Sequence, residues 1–267
     1  MSEDIRLLRP SDIDDALALS RAAGWNQTRH DWARVMQIEP EGCFGLERDG
    51  RVVATTTAVR YGSALAWIGM VLTDPAFRGR GFARALMRRA IEYLRGVDWV
   101  KLDATDMGRP LYLELGFVDE CAIERWEGSG SQQGGQPAPS PAQFDLDLAA
   151  FGADRTRLLT TLETHGAIGI PGEGYAMGRD GANAAFFGPC VARNGAAAAR
   201  LLAWFLDRRA GERIFWDVLP DNSDAVRLAR DRGFQLLRRL TRMARPGRSA
   251  FSHDVSRVYA AAGFEYG

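Results

Sequence analysis

The stretch IGMVLTDPAFRGRGFARALMRRAIEYL, Ile68–Leu94, decides the reading of this chain. Its start belongs to an apolar run, Ala64–Thr73, that reads as a buried strand and stops at Asp74-Pro75. Past Arg78-Gly79-Arg80-Gly81, apolar side chains recur at Phe82, Leu86, Ala90 and Tyr93-Leu94, one face of a helix. A strand, a glycine-bearing turn and a helix in that order make a place for an anion. Free N–H groups and the positive end of the helix dipole point at one spot. Glycine is required there because a side chain would hold a phosphate away from the main chain. Arg78, Arg80 and Arg84 add local positive charge. The spacing is neither a Walker loop nor the dinucleotide Gly-x-Gly-x-x-Gly pattern.

Outward from this segment, the N-terminal half reads as β-α-α-β-β-β-α-β-α-β. A strand at Ile5–Leu8 precedes a helix for which Ser11 is a possible N-cap, and a second helix covers Thr28–Ile38. Cys43–Glu47, the Asp49-Gly50 turn and Val52–Val59 read as a hairpin. Strand Trp99–Ala104, a helix at Pro110–Leu115 and a strand from Phe117 complete the order. The stretch Gly128–Ala142, GSGSQQGGQPAPSPA, has no apolar periodicity and reads as a flexible linker. It divides the chain into residues 1–127 and 143–267. The second half repeats part of the first: strands near 167–170, 175–179, 184–188 and 214–218, a helix at 196–208, another near 224–232, and a strand from Phe234. LYLELGF (Leu111–Phe117) and RLARDRGF (Arg227–Phe234) align across the halves, which reads as an internal duplication.

Composition bounds the partners. Of 267 residues, 34 are Lys or Arg and 34 Asp or Glu, so no global field draws the chain to nucleic acid or an anionic membrane. Cys43, Cys121 and Cys190 are scattered and read as reduced thiols. With no apolar signal core at the start and no membrane-spanning run, the expected location is the cytoplasm. No His/Cys/carboxylate cluster suggests a metal site, and His165 and His253 stand alone.

The central motif resembles that of the GNAT superfamily of N-acetyltransferases, whose signature Arg/Gln-x-x-Gly-x-Gly/Ala is met by Arg78, Gly81 and Ala83. A second signature, a Tyr shortly before Gly-Phe, is met by Tyr112 and Gly116-Phe117. GWNQTRHDW (Gly24–Trp32), LDATDMGRPLY and the linker followed by AFGADRTRLL resemble a tandem-GNAT subfamily. The resemblance implies an α/β fold of the α+β type: two GNAT-like domains, each a mixed, mostly antiparallel twisted sheet flanked by helices. It implies acetyl-CoA as co-substrate, its pyrophosphate on Arg78, Gly79, Arg80, Gly81, Phe82 and Ala83, and its pantetheine arm along Val71, Leu72 and Thr73. The second half reads GPCVARNGAAAARLL where a phosphate loop belongs, so that domain is expected to be degenerate. The two domains are expected to pair about a pseudo-twofold axis in a monomer, or the chain to form a homodimer.

The implied chemistry is attack of a primary amine on the acetyl thioester. An alkylammonium of pKa ~10.4 must first lose a proton, and the departing thiolate must gain one. Tyr112 is the family-matched acid. Asp103, Asp106, Asp31 and His30 are candidates for the base. Trp25, Asn26 and Trp32 are candidates for binding a small-molecule amine, by stacking and hydrogen bonding. A CoA-binding sensor without catalysis, and an acyltransferase acting on a protein lysine or larger acceptor, are the alternatives.

Overall fold

In the computed structural model, which describes residues 5–132 and 140–267, the first half runs through six strands and four helices. These are β1 (Ile5–Leu7), α1 (Ile13–Ala22), α2 (Arg29–Ile38), β2 (Cys43–Arg48), β3 (Arg51–Tyr61), β4 (Leu65–Thr73), α3 (Phe82–Tyr93), β5 (Trp99–Ala104), α4 (Arg109–Glu114) and β6 (Val118–Ser129). The second half continues with α5 (Asp147–Phe151), α6 (Thr156–Glu163), β7 (Ala167–Ile170), β8 (Gly174–Arg179) and β9 (Ala185–Ala192). It closes with α7 (Gly195–Arg208), β10 (Arg213–Val218), α8 (Ser223–Asp231), β11 (Gln235–Arg245) and β12 (Val258–Ala260).

Local chemistry explains the boundaries. Thr28 and Asp31 form a reciprocal capping box that starts α2. Ser11 caps nothing: residues 10–12 form a 3-10 turn, and α1 begins at Ile13. There the Asp12 carboxylate accepts from the Arg9 N–H at 2.7 Å. Period-two alternation sorts β3 between two layers. Val52 packs in one core cluster with α1, α2 and α6 residues, while its neighbour Val53 packs in another with Phe82, Leu86 and Ala90 of α3. The first cluster also takes Tyr175, Met177 and Val191 of the second half, so part of the core is shared between the halves.

All twelve strands join one sheet in the order β1-β2-β3-β4-β5-β11-β6-β10-β9-β8-β7, with β12 attached to β9. The halves exchange a strand: β11 inserts between β5 and β6, and β6 lies against β10. Each exchange carries a buried ion pair between directly opposed residues. Arg242 of β11 donates to Asp103 of β5 at 2.9 and 3.1 Å, and Arg125 of β6 donates to Asp217 of β10 at 2.7 and 2.6 Å. The two pairs are equivalent by sequence as well. Asp103 and Asp217 are each the fifth residue of their strand, and Arg125 follows Phe117 at the same offset at which Arg242 follows Phe234.

The expected 128–142 linker begins later than its composition predicts. Gly128 and Ser129 pair with Ile214 and Arg213 as the end of β6, and a Cβ on Gly128 would strike the ring of Phe234 at 2.8 Å. Glycine is there for close packing, a need that composition cannot distinguish from flexibility. Residues 133–139 of that stretch lie outside the described residues. Also unforeseen were α5 and β12, both too short for a periodic pattern.

Breaking one partner of a buried pair leaves a charge without compensation, at a cost of about 3–5 kcal/mol. Asp217→Asn is expected to lower unfolding free energy by that order in urea titration. The double change Arg125→Met, Asp217→Leu should recover most of it; a single change that costs nothing would remove the pair from the account of the exchange.

Candidate active site

Strands β4 and β5 run parallel and pair only over Leu65–Trp67 and Trp99–Lys101. Past these residues they diverge, and a wedge opens with Ile68–Val71 on one wall and Leu102, Asp103 and Thr105 on the other. A bulge shapes the first wall. Thr55 pairs with Leu72 and Thr57 with Gly69, so Met70 and Val71 together face Thr56, and Met70 takes a positive φ of 50°. The Met70 carbonyl, turned out of the ladder, accepts instead from the buried Thr55 hydroxyl at 2.8 Å.

The glycine-bearing loop ends the same strand. Gly79 and Gly81 have φ of 74° and 82°, and nothing lies within 4 Å of where their Cβ atoms would be. Both positions therefore need glycine for conformation and face open space. The first carbonyl to accept within α3 is that of Gly81, from the Ala85 N–H, which leaves the N–H groups of Phe82, Ala83 and Arg84 at the free end of the helix. The Phe82 side chain anchors the loop from below, buried and stacked on Phe77. Arg78 and Arg80 are exposed beside it. Arg84 is less available, since it pairs with Glu114 at 2.5 Å.

Tyr112 of α4 lines the wedge. Among the described residues its hydroxyl has no hydrogen-bond partner, and burial pushes its pKa well above the ordinary value, so it keeps its proton at neutral pH. The remaining wall comes from elsewhere. The tail after β12 crosses β4: Trp67 Nε1 donates to the Phe264 carbonyl at 2.9 Å, and the Tyr61 hydroxyl to the Tyr266 carbonyl at 2.8 Å. A Cβ on Gly69 would meet the Glu265 backbone at 2.8 Å, so glycine there lets the tail lie flat on the strand. Glu265, Phe264, Gln27 and Arg238 thereby join Tyr112 and Asp103 in one cavity. Glu265 accepts from Gln27 Nε2 and from Arg179, both at 3.1 Å, and burial raises its carboxyl above the usual range.

The residues expected to bind the acceptor separate into three kinds. Trp25 lines the cavity. Asn26 does not have a free amide: Nδ2 donates to the Ala184 carbonyl at 3.0 Å, and Oδ1 accepts from the N–H groups of Asn183 and Ala184, clamping the loop to the second half. Trp32 is fully buried with its Nε1 on Ser20 Oγ at 3.0 Å, a core residue rather than a ligand contact. Among the candidate bases, Asp31 is a capping carboxylate paired with Arg34 and Arg179, which hold its pKa low. His30 and Asp106 are exposed, and neither lines the cavity. Asp103 does line it, but both its oxygens are held by Arg242. Its counterpart Asp217 makes the same bond in the other half, so the strand exchange accounts for Asp103 by itself. Gln27, Arg238 and Glu265 were not found by sequence reasoning. Each reaches the cavity through a long-range contact, and no local pattern marks it.

In the second half, β9 and β10 pair in parallel over Ala185–Phe187 and Ile214–Trp216, the counterpart of β4 and β5. Their wedge is filled. β12 pairs with β9 at Val191 and Cys190, and the Ala261 N–H donates to the Asp217 carbonyl of β10 at 2.9 Å. The start of α7 is closed too: Asn194 caps it by accepting from the Ala197 N–H at 3.0 Å, and Asp224 Oδ2 lies 3.8 Å from where a Gly195 Cβ would stand.

The bulge yields a test. Thr55→Val would leave the buried Met70 carbonyl without a donor, at about 1–3 kcal/mol. Urea unfolding is expected to show that loss, and an unchanged midpoint would mean the bulge does not depend on this hydroxyl.

Comparison with known proteins follows the same division. Residues 12–117 match the Acetyltransferase (GNAT) family model, and residues 144–260 match an Acetyltransferase (GNAT) domain model. An uncharacterized N-acetyltransferase of Bacillus subtilis, YitH, is 24% identical over 175 residues, which is 60% of this chain and 60% of that protein. A mycothiol acetyltransferase of Acidimicrobium ferrooxidans is 30% identical over 133 residues, 42% of this chain and 43% of that protein. The chain therefore matches less than two thirds of the length of either relative. A solved structure of a proposed acetyltransferase from Pyrococcus horikoshii superposes with a TM-score of 0.87 at 25% identity, over 98% of this chain and 95% of that one. A tandem GNAT protein from the clavulanic acid biosynthesis pathway shares the fold, with a TM-score of 0.64 at 16% identity over 90% of this chain and 97% of that one. Two GNAT models, over residues 12–117 and 144–260, with both halves joined in one sheet, place this chain in the GNAT acetyltransferase family as a tandem of two such domains.

Proposed function

We propose that the chain transfers an acetyl group from acetyl-CoA to the primary amine of a small molecule, at the wedge of its first half. The observation that carries this reading is the asymmetry of the two wedges. One is open, with free helix N–H groups and two unobstructed glycines at its mouth. The other is occupied by β12 and capped by Asn194. The unpaired β4 edge offers backbone hydrogen bonds to an extended pantetheine arm, and the Arg78–Ala83 loop suits a pyrophosphate. The residues present therefore fit acetyl-CoA, which would supply the acetyl thioester.

The polar groups of the cavity divide the proton work. An incoming ammonium gives up a proton to the Glu265 carboxylate, whose raised pKa suits a base operating near neutrality. The freed amine nitrogen forms its bond to the acetyl carbon as the carbon–sulfur bond breaks. Tyr112, still protonated, gives its proton to the departing thiolate and is restored by the second proton lost from the acylated nitrogen, while an N–H of the β4 edge steadies the negative charge on the carbonyl oxygen. With these groups enclosed between β4, β5 and the tail, the expected acceptor is a small molecule rather than a protein lysine.

Calorimetric titration with acetyl-CoA tests the first claim. Binding at one site per chain is expected, weakened at least tenfold by Gly81→Trp, which needs both an unfavourable φ and the space in front of the loop. Two sites per chain would contradict the filled second wedge, and no binding would end the reading. The proton assignments predict a pH profile. Glu265 accepts only when ionised, so kcat/KM is expected to rise with pH through a value above the ordinary carboxylate pKa of ~4.3. That limb should vanish in Glu265→Gln, and Tyr112→Phe should lower kcat more than acetyl-CoA affinity. A limb that survives in Glu265→Gln would assign it to the acceptor itself.

A further inference from the structure

Arg238 is the polar residue of the cavity whose surroundings least account for it. It lies on β11, where the register slips between Leu236 and Arg238, so a bulge at Leu237 sets the direction of the side chain that follows. Directly opposite it on β6 stands Arg125, a second guanidinium, and like charges in register on adjacent strands repel. Arg125 is answered: Asp217 takes it bidentately. Arg238 is not. Among the described residues it forms no ion pair, and its Nε, though buried, has no hydrogen-bond partner. The ring of Phe264 lies beneath it at 5.2 Å, which supports a cation without neutralising it. Burial and the Arg125 charge lower its pKa to about 10, which still leaves it a cation at neutral pH.

A second orphan of the opposite kind lines the same cavity. Gln27 donates its Nε2 to the Glu265 carboxylate at 3.1 Å, which fixes the orientation of the amide. Its Oε1 is then buried with nothing to accept from. Buried polar groups are nearly always satisfied, and those that are not mark places where another molecule completes the bonding. Here an unanswered cationic donor and an unanswered neutral acceptor share a space with a carboxylate of raised pKa and a protonated tyrosine.

We propose that the acceptor is a primary amine that also carries a carboxylate, a zwitterion of the amino-acid type. Arg238 anchors its carboxylate, and Gln27 Oε1 takes an N–H of its amine beside Glu265. The proposal rests on the reading of the first wedge as an amine acetyltransferase site and adds the class of its substrate. It also gives the second half a direct part in specificity, since β11 supplies the anchor. A charge-assisted hydrogen bond to a carboxylate distinguishes it from an otherwise matched neutral group by roughly 10- to 100-fold in binding.

The test is a steady-state comparison of matched pairs. Proteinogenic amino acids that are primary amines with neutral or basic side chains, and the carboxylate-free amines left by their decarboxylation, are each offered with saturating acetyl-CoA, and CoA release is followed. For at least one pair, kcat/KM is expected to favour the amino acid at least tenfold, chiefly through KM. In Arg238→Met that ratio should fall at least tenfold. Should Arg238→Met fail to fold by circular dichroism, Arg238→Lys, which keeps the cation but loses the forked donors, should lower the ratio as well. Carboxylate-free amines turned over as well as their parents, a ratio indifferent to Arg238, or acetyl-CoA binding without turnover of any amino acid would each overturn the proposal. Failure to bind acetyl-CoA at all would bring down the underlying reading with it, and the calorimetric titration reports that separately.

Discussion

The fold depends on a reciprocal exchange of strands held by two buried Arg–Asp pairs. Without Arg242 on Asp103 and Arg125 on Asp217, the two seams β5–β11 and β6–β10 would bury four charged groups with these partnerships broken. With both pairs formed, the half-sheets become one continuous sheet, and the register of each exchanged strand is fixed at a single point. Such pairs add little net stability over well-packed apolar residues of the same volume, whereas loss of one partner alone is costly. The exchange also decides where the site lies, for the strand that enters beside β5 brings Arg238 to the wedge.

From that exchange the halves diverge. Both keep the parallel pair that opens into a wedge, and both keep a helix after the first strand of that pair. In one half the wedge edge remains unpaired and the helix start is open. In the other, β12 takes the edge and Asn194 takes the Ala197 N–H at the helix start. The chain then leaves the filled wedge and lays Phe264 and Glu265 across β4, so the segment that closes one site builds a wall of the other.

Much of this was legible from local pattern. The strand–loop–helix at Ile68–Leu94, the hairpin over β2 and β3, and the correspondence between Gly116-Phe117 and Gly233-Phe234 all rest on spacing that sequence preserves. The loop glycines have positive φ values and open space where a side chain would stand. Three kinds of feature were not legible. The exchange was hidden because β6 and β11 look like ordinary final strands of their own halves. Trp32 and Asn26 looked like ligand contacts because a Trp on a helix or an Asn in a loop has the same appearance whether it meets a substrate, the core or another loop. Glu265, Gln27 and Arg238 could not be found because what places them is a crossing of the chain over Gly69 and a bulge at Leu237, neither of which has a signature shorter than the fold.

The repeated order of elements in the two halves has a consequence for what substitution can do. In a pair of identical subunits related by an axis, a residue cannot change on one side alone; whatever closes one cleft closes its mate. Covalent linkage of the two copies removes that constraint while keeping the order of strands. Position 194 can carry an asparagine that caps its helix while position 81 retains a glycine that leaves its helix open. A tandem chain of this kind can give up one of two equivalent clefts and use the released segment, the stretch from β12 to Glu265, as a component of the cleft that remains. Repetition supplies the scaffold, and departure from it supplies a cavity lined by residues from both halves.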